Sequence, residues 1–231
     1  MTRAPRTLCF DIGGTGIKGL VADVKGKPLS ERVRIETPHP AIPKSLLRVL
    51  GEIHAQQPAF DRVSAGFPGV VREGVVYSAP NLDPSWVGVN LAGELTRICG
   101  KPARVANDAG VQGMGVIAGK GTEIVLTLGT GMGFALFRDG RYVPNIELGH
   151  HPIRGKKVYE DLVCDRERKK HLKRWNRRVQ FVLSVLEPCF NYDHLYIGGG
   201  NAERLSFKLP GNVTVVSNDA GMLGGVRLWD Q

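Results

Sequence analysis

Twice along this 231-residue chain an apolar stretch runs into a glycine-rich turn and returns at once as a second apolar stretch. The first pass is Leu8–Val21 and the second is Ile124–Phe137. Short apolar runs bounded by Gly read as buried strands. The returning strand sets this pattern apart from a Rossmann opening, in which the Gly loop starts a helix. A strand-turn-strand unit leading each half predicts a duplicated α/β fold of two domains with a cleft between them.

The rest of the chain is read around those two units. Ser30 to Glu36 alternates as a third strand, and Lys44 to Gln56 has helical periodicity behind Pro43. Arg62 to Phe67 is a strand and Leu91 to Ile98 a helix closed by Gly100. Ala103 to Ala106 is a strand that meets Asn107–Asp108 and a helical stretch to Ile117. Lys169 to Leu186 reads as one long helix stopped by Pro188, with Leu172, Trp175, Val179, Val182 and Leu186 on one face. Strands follow at Leu195 to Ile197 and Val213 to Val216, then a short helix near Ala220 to Val226. The expected domains are discontinuous: residues 1–106 plus 217–231, and residues 107–216.

Bulk properties narrow the function classes. No window reaches the ~18 apolar residues of a membrane helix, and the N-terminus lacks the apolar core of a secretory signal. The expectation is a cytoplasmic protein with no membrane partner. Cys9, Cys99, Cys164 and Cys189 form no C-x-x-C pair, which speaks against a disulfide framework or a zinc site. The net charge of +9 favours an anionic partner. Residues 165–178 hold eight basic and two acidic side chains, so they carry +6 of that total. On a single helix Arg166, Lys170, Lys173 and Arg177 would share one side. A solvated face is usually mixed in sign, so this one is read as an anion track. The stretch has one aromatic, Trp175, and is not expected to bind nucleic acid.

Five short motifs suggest chemistry. In Asp11-Ile12-Gly13-Gly14-Thr15-Gly16-Ile17-Lys18 the glycines let backbone N–H groups turn toward an anion. Thr15 adds a hydroxyl and Lys18 a charge, while Asp11 at a strand end suits a hydrated Mg²⁺. Thr127-Leu128-Gly129-Thr130-Gly131 repeats that logic in the second half. Each turn alone is equally a plain hairpin. Asn107-Asp108 lies where a strand meets a helix, a place that suits either an N-cap or a reactive carboxylate near the positive helix end. Glu147 and His150, with His151 next, are suited to sugar hydroxyls and are too few for a zinc site. Gly198, Gly199 and Gly200 with Asn201 permit close approach of a flat or anionic group.

Taken in chain order, the motifs resemble the ROK sugar kinases, and the stretches Lys173–Val179 and Phe190–Asn201 resemble the polyphosphate-using branch of that family. The resemblance runs from Asp11 to about Trp229. It implies the actin-like ATPase (ribonuclease H-like) fold and transfer of a phosphoryl group from inorganic polyphosphate or ATP to the 6-hydroxyl of glucose. It implies Asp108 as general base. Gly66, Asn81, Asn107, Glu147 and His150 become sugar contacts. Asp11 to Gly16 with Lys18, Thr127, Gly129 to Gly131, and Gly199 to Asn201 become donor contacts, with Mg²⁺ held through water by Asp11. Relatives commonly dimerise, so a homodimer is allowed. Other readings are a strictly ATP-dependent glucokinase or mannokinase, and a non-catalytic sugar- or polyanion-binding protein. The chain departs from the family at Pro152–Lys157, where most members carry a cysteine-rich zinc motif. No zinc is expected, and the glutamate of that motif is read as absent.

Overall fold

The computed structural model describes residues 3–217 and 221–231. It divides into two compact units, Met1–Gly115 with Gly221–Gln231, and Val116–Ala220.

The first unit opens with β1 (Thr7–Ile12), β2 (Gly16–Ala22) and β3 (Val33–Glu36). Next come α1 (Pro43–Ala55), β4 (Arg62–Phe67), a small hairpin of β5 (Val71–Arg72) and β6 (Val75–Val76), and α2 (Leu91–Cys99). It continues through β7 (Ala103–Asn107) into α3 (Asp108–Val116). The sheet order is β3-β2-β1-β4-β7, antiparallel across the first three strands and parallel from β1 through β4 to β7. Helix α1 begins with Pro43 at its first turn, where the missing N–H costs nothing. Its Leu46, Val49, Leu50 and Ile53 form one buried stripe. Helix α2 is capped by Asn90, whose Oδ1 accepts from Gly93 N at 2.9 Å, and ends on Gly100 in the left-handed region. Trp86 is fully buried and satisfies its indole by donating to Ala41 O at 2.9 Å. Burying side chains of this size contributes roughly 1.5–3 kcal/mol each.

The second unit repeats the scheme. It contains β8 (Thr122–Leu128), β9 (Met132–Arg138), β10 (Arg141–Val143), β11 (Pro152–Arg154) and β12 (Lys157–Val158). Three helices follow: α4 (Tyr159–Val163), α5 (Asp165–Lys170) and α6 (Leu172–Phe190). The last strands are β13 (His194–Gly198) and β14 (Val213–Val215). The sheet order β10-β9-β8-β13-β14 matches the first sheet strand for strand, with the same switch from antiparallel to parallel. The buried carboxylate of Glu123 is satisfied by the amides of Ala118, Gly119 and Lys120 and by the Tyr196 hydroxyl. Capture of these three amides turns the chain away from helix after α3, before Ile117.

Helix α7 (Gly221–Arg227) completes the first unit. A Cβ on Gly224 would lie 1.7 Å from Val111 O, so α3 and α7 meet backbone to backbone. Arg227 Nη1 donates to Met114 O at 2.8 Å. These contacts keep α3 with the first unit, whose boundary falls after Gly115 rather than after Ala106. The expected start of the last helix at Ala220 lies outside the described residues.

The expected long helix differs most. It breaks at His171, whose φ of −154° and ψ of 90° are extended, giving α5 and α6. Leu172 is 45% exposed and leaves the apolar face, which consists of Trp175, Val179, Val182, Leu183 and Leu186. Pro188 does not stop α6, which runs on to Phe190 and ends on Asn191 in the left-handed region. A proline in the last turn forfeits one hydrogen bond near an end that frays anyway. Glu167 binds the two helices together, pairing with Lys170 (3.1 Å), Arg174 (3.8 Å) and Arg178 (2.6 Å). Hydrogen bonds from Arg178 and Lys170 lower its pKa from 4.5 to about 2. The stability it contributes is therefore present above pH 4.5 and lost as pH falls toward 2.

Candidate active site

In the first unit three parallel strands end level. Asp11 pairs with Gly66 and Gly66 with Ala106, so Asp11 and the Asn107–Asp108 junction emerge at one edge. Open α/β sheets bind ligands at the carboxyl ends of such strands. Gly66 is the residue that lets α3 approach. A Cβ there would lie 3.2 Å from Asp108 Cα and 3.6 Å from Val111 Cβ. Asp108 is the first residue of α3, and the capping role belongs to Asn107. Asn107 Oδ1 accepts from Gly110 N at 3.2 Å and its Nδ2 donates to Gly69 O at 3.3 Å. Asp108 Oδ1 accepts from Ala109 N at 2.8 Å. A negative charge in this first turn is favoured by the helix dipole.

The first glycine turn is tight and strapped. Gly13 N donates to Gly16 O at 3.1 Å, and Thr37 Oγ1 donates to Gly13 O at 2.6 Å. Lys18 Nζ lies 2.9 Å from Asp11 Oδ2. Thr15 is exposed at the tip, and Ile12 is buried in the sheet. Asn81 lies beside this turn: a Cβ on Gly14 would be 3.8 Å from Asn81 O. The first unit therefore gathers Asp11, Gly66, Asn81, Asn107 and Asp108 around one strand edge.

The second unit gathers the others. Gly129 N donates to Gly131 O at 3.1 Å, closing the β8–β9 turn with Thr130 exposed and Thr127 half-buried. Gly129 O accepts from Asp165 N at 3.0 Å and from Asn201 Nδ2 at 3.2 Å. Gly199 has φ +88°, and a Cβ there would lie 2.3 Å from Leu128 O. A side chain is thus doubly excluded, and the Gly199–Asn201 turn packs onto the second glycine turn. Glu147 precedes and His150 ends a 3₁₀ turn, Leu148–His150, with His150 Nε2 4.0 Å from Glu147 Oε2. Burial raises the Glu147 pKa; His150 opposes the shift and nearby Glu160 adds to it.

Glu160 is the residue that sequence reasoning misses. Its Oε2 accepts from Met132 N at 3.1 Å and fills the place a Gly131 side chain would take, 2.1 Å from that Cβ position. Helix α4 thus places a glutamate shortly after Pro152–Lys157 and near Glu147. Only the folded position of Gly131 reveals it; the isolated Tyr159-Glu160-Asp161 resembles any helix start.

The basic run is also corrected. Asp165 pairs with Arg168 and Lys169, and Glu167 with Lys170, Arg174 and Arg178. The break at His171 keeps Arg166 and Lys170 off the helix that bears Lys173 and Arg177, so the four do not form one stripe. Lys173 and Arg177 instead line a groove of about 420 Å³ with Asn176, Gln180, Ser206 and Phe207. Asn176 is buried; its Oδ1 accepts from Ser206 N at 2.7 Å and its Nδ2 donates to Arg204 O at 3.2 Å. It fixes the far wall of the groove to α6.

Against known proteins, a sequence model described as the ROK family matches residues 7–165. Polyphosphate glucokinase of Mycobacterium tuberculosis is 31% identical over 233 residues, covering 93% of this chain and 88% of the relative. Among solved structures, the inorganic polyphosphate/ATP-glucomannokinase of Arthrobacter sp. strain KM superposes with a TM-score of 0.86 at 35% identity, covering 97% of both chains. A ROK family glucokinase from Streptomyces griseus, in complex with glucose and AMPPNP, superposes with a TM-score of 0.80 at 19% identity over 96% of this chain and 98% of that one.

Proposed function

The chain belongs to the ROK family and has its actin-like ATPase fold, and from that premise we propose that it transfers a phosphoryl group from inorganic polyphosphate to the 6-hydroxyl of glucose. ATP is a second donor, a reading favoured by the glucomannokinase named for both. The observation that carries the reaction type is the nearness of Asp108 to the Asp11 strand end across side-chain-free Gly66.

Asp108 accepts the 6-hydroxyl proton as the sugar oxygen attacks the terminal phosphorus. The bridging P–O bond breaks, and the donor leaves one phosphate shorter. Asn107, held by its own cap contacts, and Asn81 orient the sugar, and Gly66 serves it by letting α3 bring Asp108 close. Glu147 and His150 are the second unit's sugar contacts. The Gly13–Gly16 and Gly129–Gly131 turns bind donor phosphates through amides other than those of Gly13 and Gly129, which close the turns, aided by Lys18, Thr15, Thr127 and Thr130. Gly199, Gly200 and Asn201 contact the donor farther along.

Mg²⁺ fits the first unit. Among the described residues no three His, Cys, Asp or Glu side chains converge, but this ion typically takes one or two carboxylates plus substrate phosphates. Asp11 would hold it through water, with charge neutralisation on the donor as its contribution. Among the described residues no helix is long and apolar enough to cross a membrane. We place the protein in the reducing cytoplasm, where its four cysteines would stay as thiols.

The test is a coupled assay of glucose 6-phosphate formation with Mg²⁺, comparing long-chain polyphosphate with ATP. Turnover with polyphosphate is expected. Turnover with ATP alone would remove polyphosphate as donor, and none with either would remove the kinase reading.

The Glu147 role has its own signature. A carboxylate that accepts from sugar hydroxyls must be ionised, and burial makes its proton harder to remove. The KM for glucose should therefore rise on the acid side, beginning above the ordinary glutamate value of 4.5. A KM–pH profile checks this. Glu147→Gln should raise KM at neutral pH and flatten that limb; an unchanged limb would assign it to another group.

A further inference from the structure

We propose that Arg34 is a donor-phosphate ligand at the first glycine turn, a binding residue that grips the polyphosphate chain beside the reacting phosphate. The proposal rests on the kinase reading above. Strand β3 places Arg34 opposite Lys18, which is itself opposite Asp11, so three charged residues form one row across β1, β2 and β3. Directly opposed residues in antiparallel strands share a face of the sheet. Arg34 is solvent-exposed, and its guanidinium is folded back toward the turn. It lies over Gly16, where a Cβ would be 2.8 Å from Nη2 and 2.9 Å from Nε. Gly16 is the last residue of the turn, and its carbonyl closes it. Thr37, just beyond the same strand, straps the turn through Gly13 O. Strand β3 thus both braces the loop and sets a cation upon it.

Charge balance supports the role. Lys18 is already compensated by Asp11 at 2.9 Å. Arg34 has no carboxylate partner among the described residues, although Glu36 lies exposed on the same strand, opposite Gly16. An uncompensated guanidinium beside a glycine-rich turn matches a phosphate, which accepts two parallel N–H bonds from its planar fork. A lysine in this place would supply only a point charge. Packing on Gly16 also limits the motion of the fork before the anion arrives, which lowers the ordering cost of binding.

The experiment compares Arg34→Gln and Arg34→Lys with the unaltered chain. It reads KM for long-chain polyphosphate, KM for glucose, kcat and the thermal midpoint. Arg34→Gln should raise the polyphosphate KM about tenfold or more, as expected for loss of a charge-assisted contact. It should also reduce the slope of log KM against log salt by about 0.7–0.9, one phosphate contact. The glucose KM and the midpoint should not move, because the side chain packs on the surface of an edge strand. Arg34→Lys should recover part of the affinity. A polyphosphate KM within twofold of the unaltered chain for Arg34→Gln would overturn the proposal, as would an equal rise in the glucose KM. If the unaltered chain does not phosphorylate glucose at all, the kinase reading fails separately. Arg34 is then judged by calorimetric titration with polyphosphate alone, where equal dissociation constants for the two chains overturn it and tenfold weaker binding to Arg34→Gln upholds it.

Discussion

Replacing Asp108 with Asn should lower kcat for glucose phosphorylation by about 10²–10⁴-fold, the range that a positioned general base contributes. The change preserves shape and retains an oxygen for the Ala109 amide, which Asp108 Oδ1 now accepts at 2.8 Å. What it removes is a basic oxygen for the departing hydroxyl proton. The glucose KM should move far less than kcat, since the interaction lost is made in the transition state. The fold should tolerate the change, because the cap of α3 belongs to Asn107 through Gly110 N. The lost term is attraction between a negative charge and the helix dipole, about 0.3–1 kcal/mol, or at most a few degrees of midpoint in a chain of this size. Steady-state kinetics with thermal unfolding check both halves. A kcat within tenfold of the unaltered chain would remove Asp108 from the role of base.

The double replacement Lys173→Gln with Arg177→Gln should raise the KM for long polyphosphate while leaving that for ATP within about twofold. Both cations line the groove whose wall is fixed by Asn176, and neither is paired with a carboxylate among the described residues. Their neighbours Lys170, Arg174 and Arg178 are already engaged by Glu167. A polyanion gains more from cations that lack partners than from those it must share. By analogy with counterion release from nucleic acid, each lost phosphate contact lowers the log–log salt slope by about 0.7–0.9. Two contacts amount to a factor of roughly ten between 50 and 200 mM salt. The measurement is polyphosphate KM against salt for long and short chains. An equal effect on ATP and polyphosphate would return these residues to the role of a solvated face.

Much of the fold was legible because its signals are local. The apolar runs around Asp11–Gly16 and Gly129–Gly131 report strands through burial and turns through glycine, and both depend on neighbours within a few residues. The same holds for α1, where Pro43 and the Leu46, Val49, Leu50, Ile53 stripe announce start and face. Where a local signal competed with a distant contact, the reading erred. Residues 165–190 look like one helix with a proline stop, yet the break falls at His171 and Pro188 is absorbed. Periodicity alone did not reveal that Glu167 ties α5 to α6.

By itself, the sequence determined the duplicated strand-turn-strand plan, the two glycine turns, the Asn107–Asp108 junction and the family to which the chain belongs. Each of these is written in short runs whose conformation is set by nearby backbone and side-chain sterics. Only the tertiary structure decided which charges are compensated and which are not. Glu160 beside Glu147, Arg34 over Gly16, and Lys173 and Arg177 apart from the Glu167 network all depend on residues from different elements meeting in space. Register between strands and packing between helices bring those groups together, and no spacing along the chain encodes a distance across it.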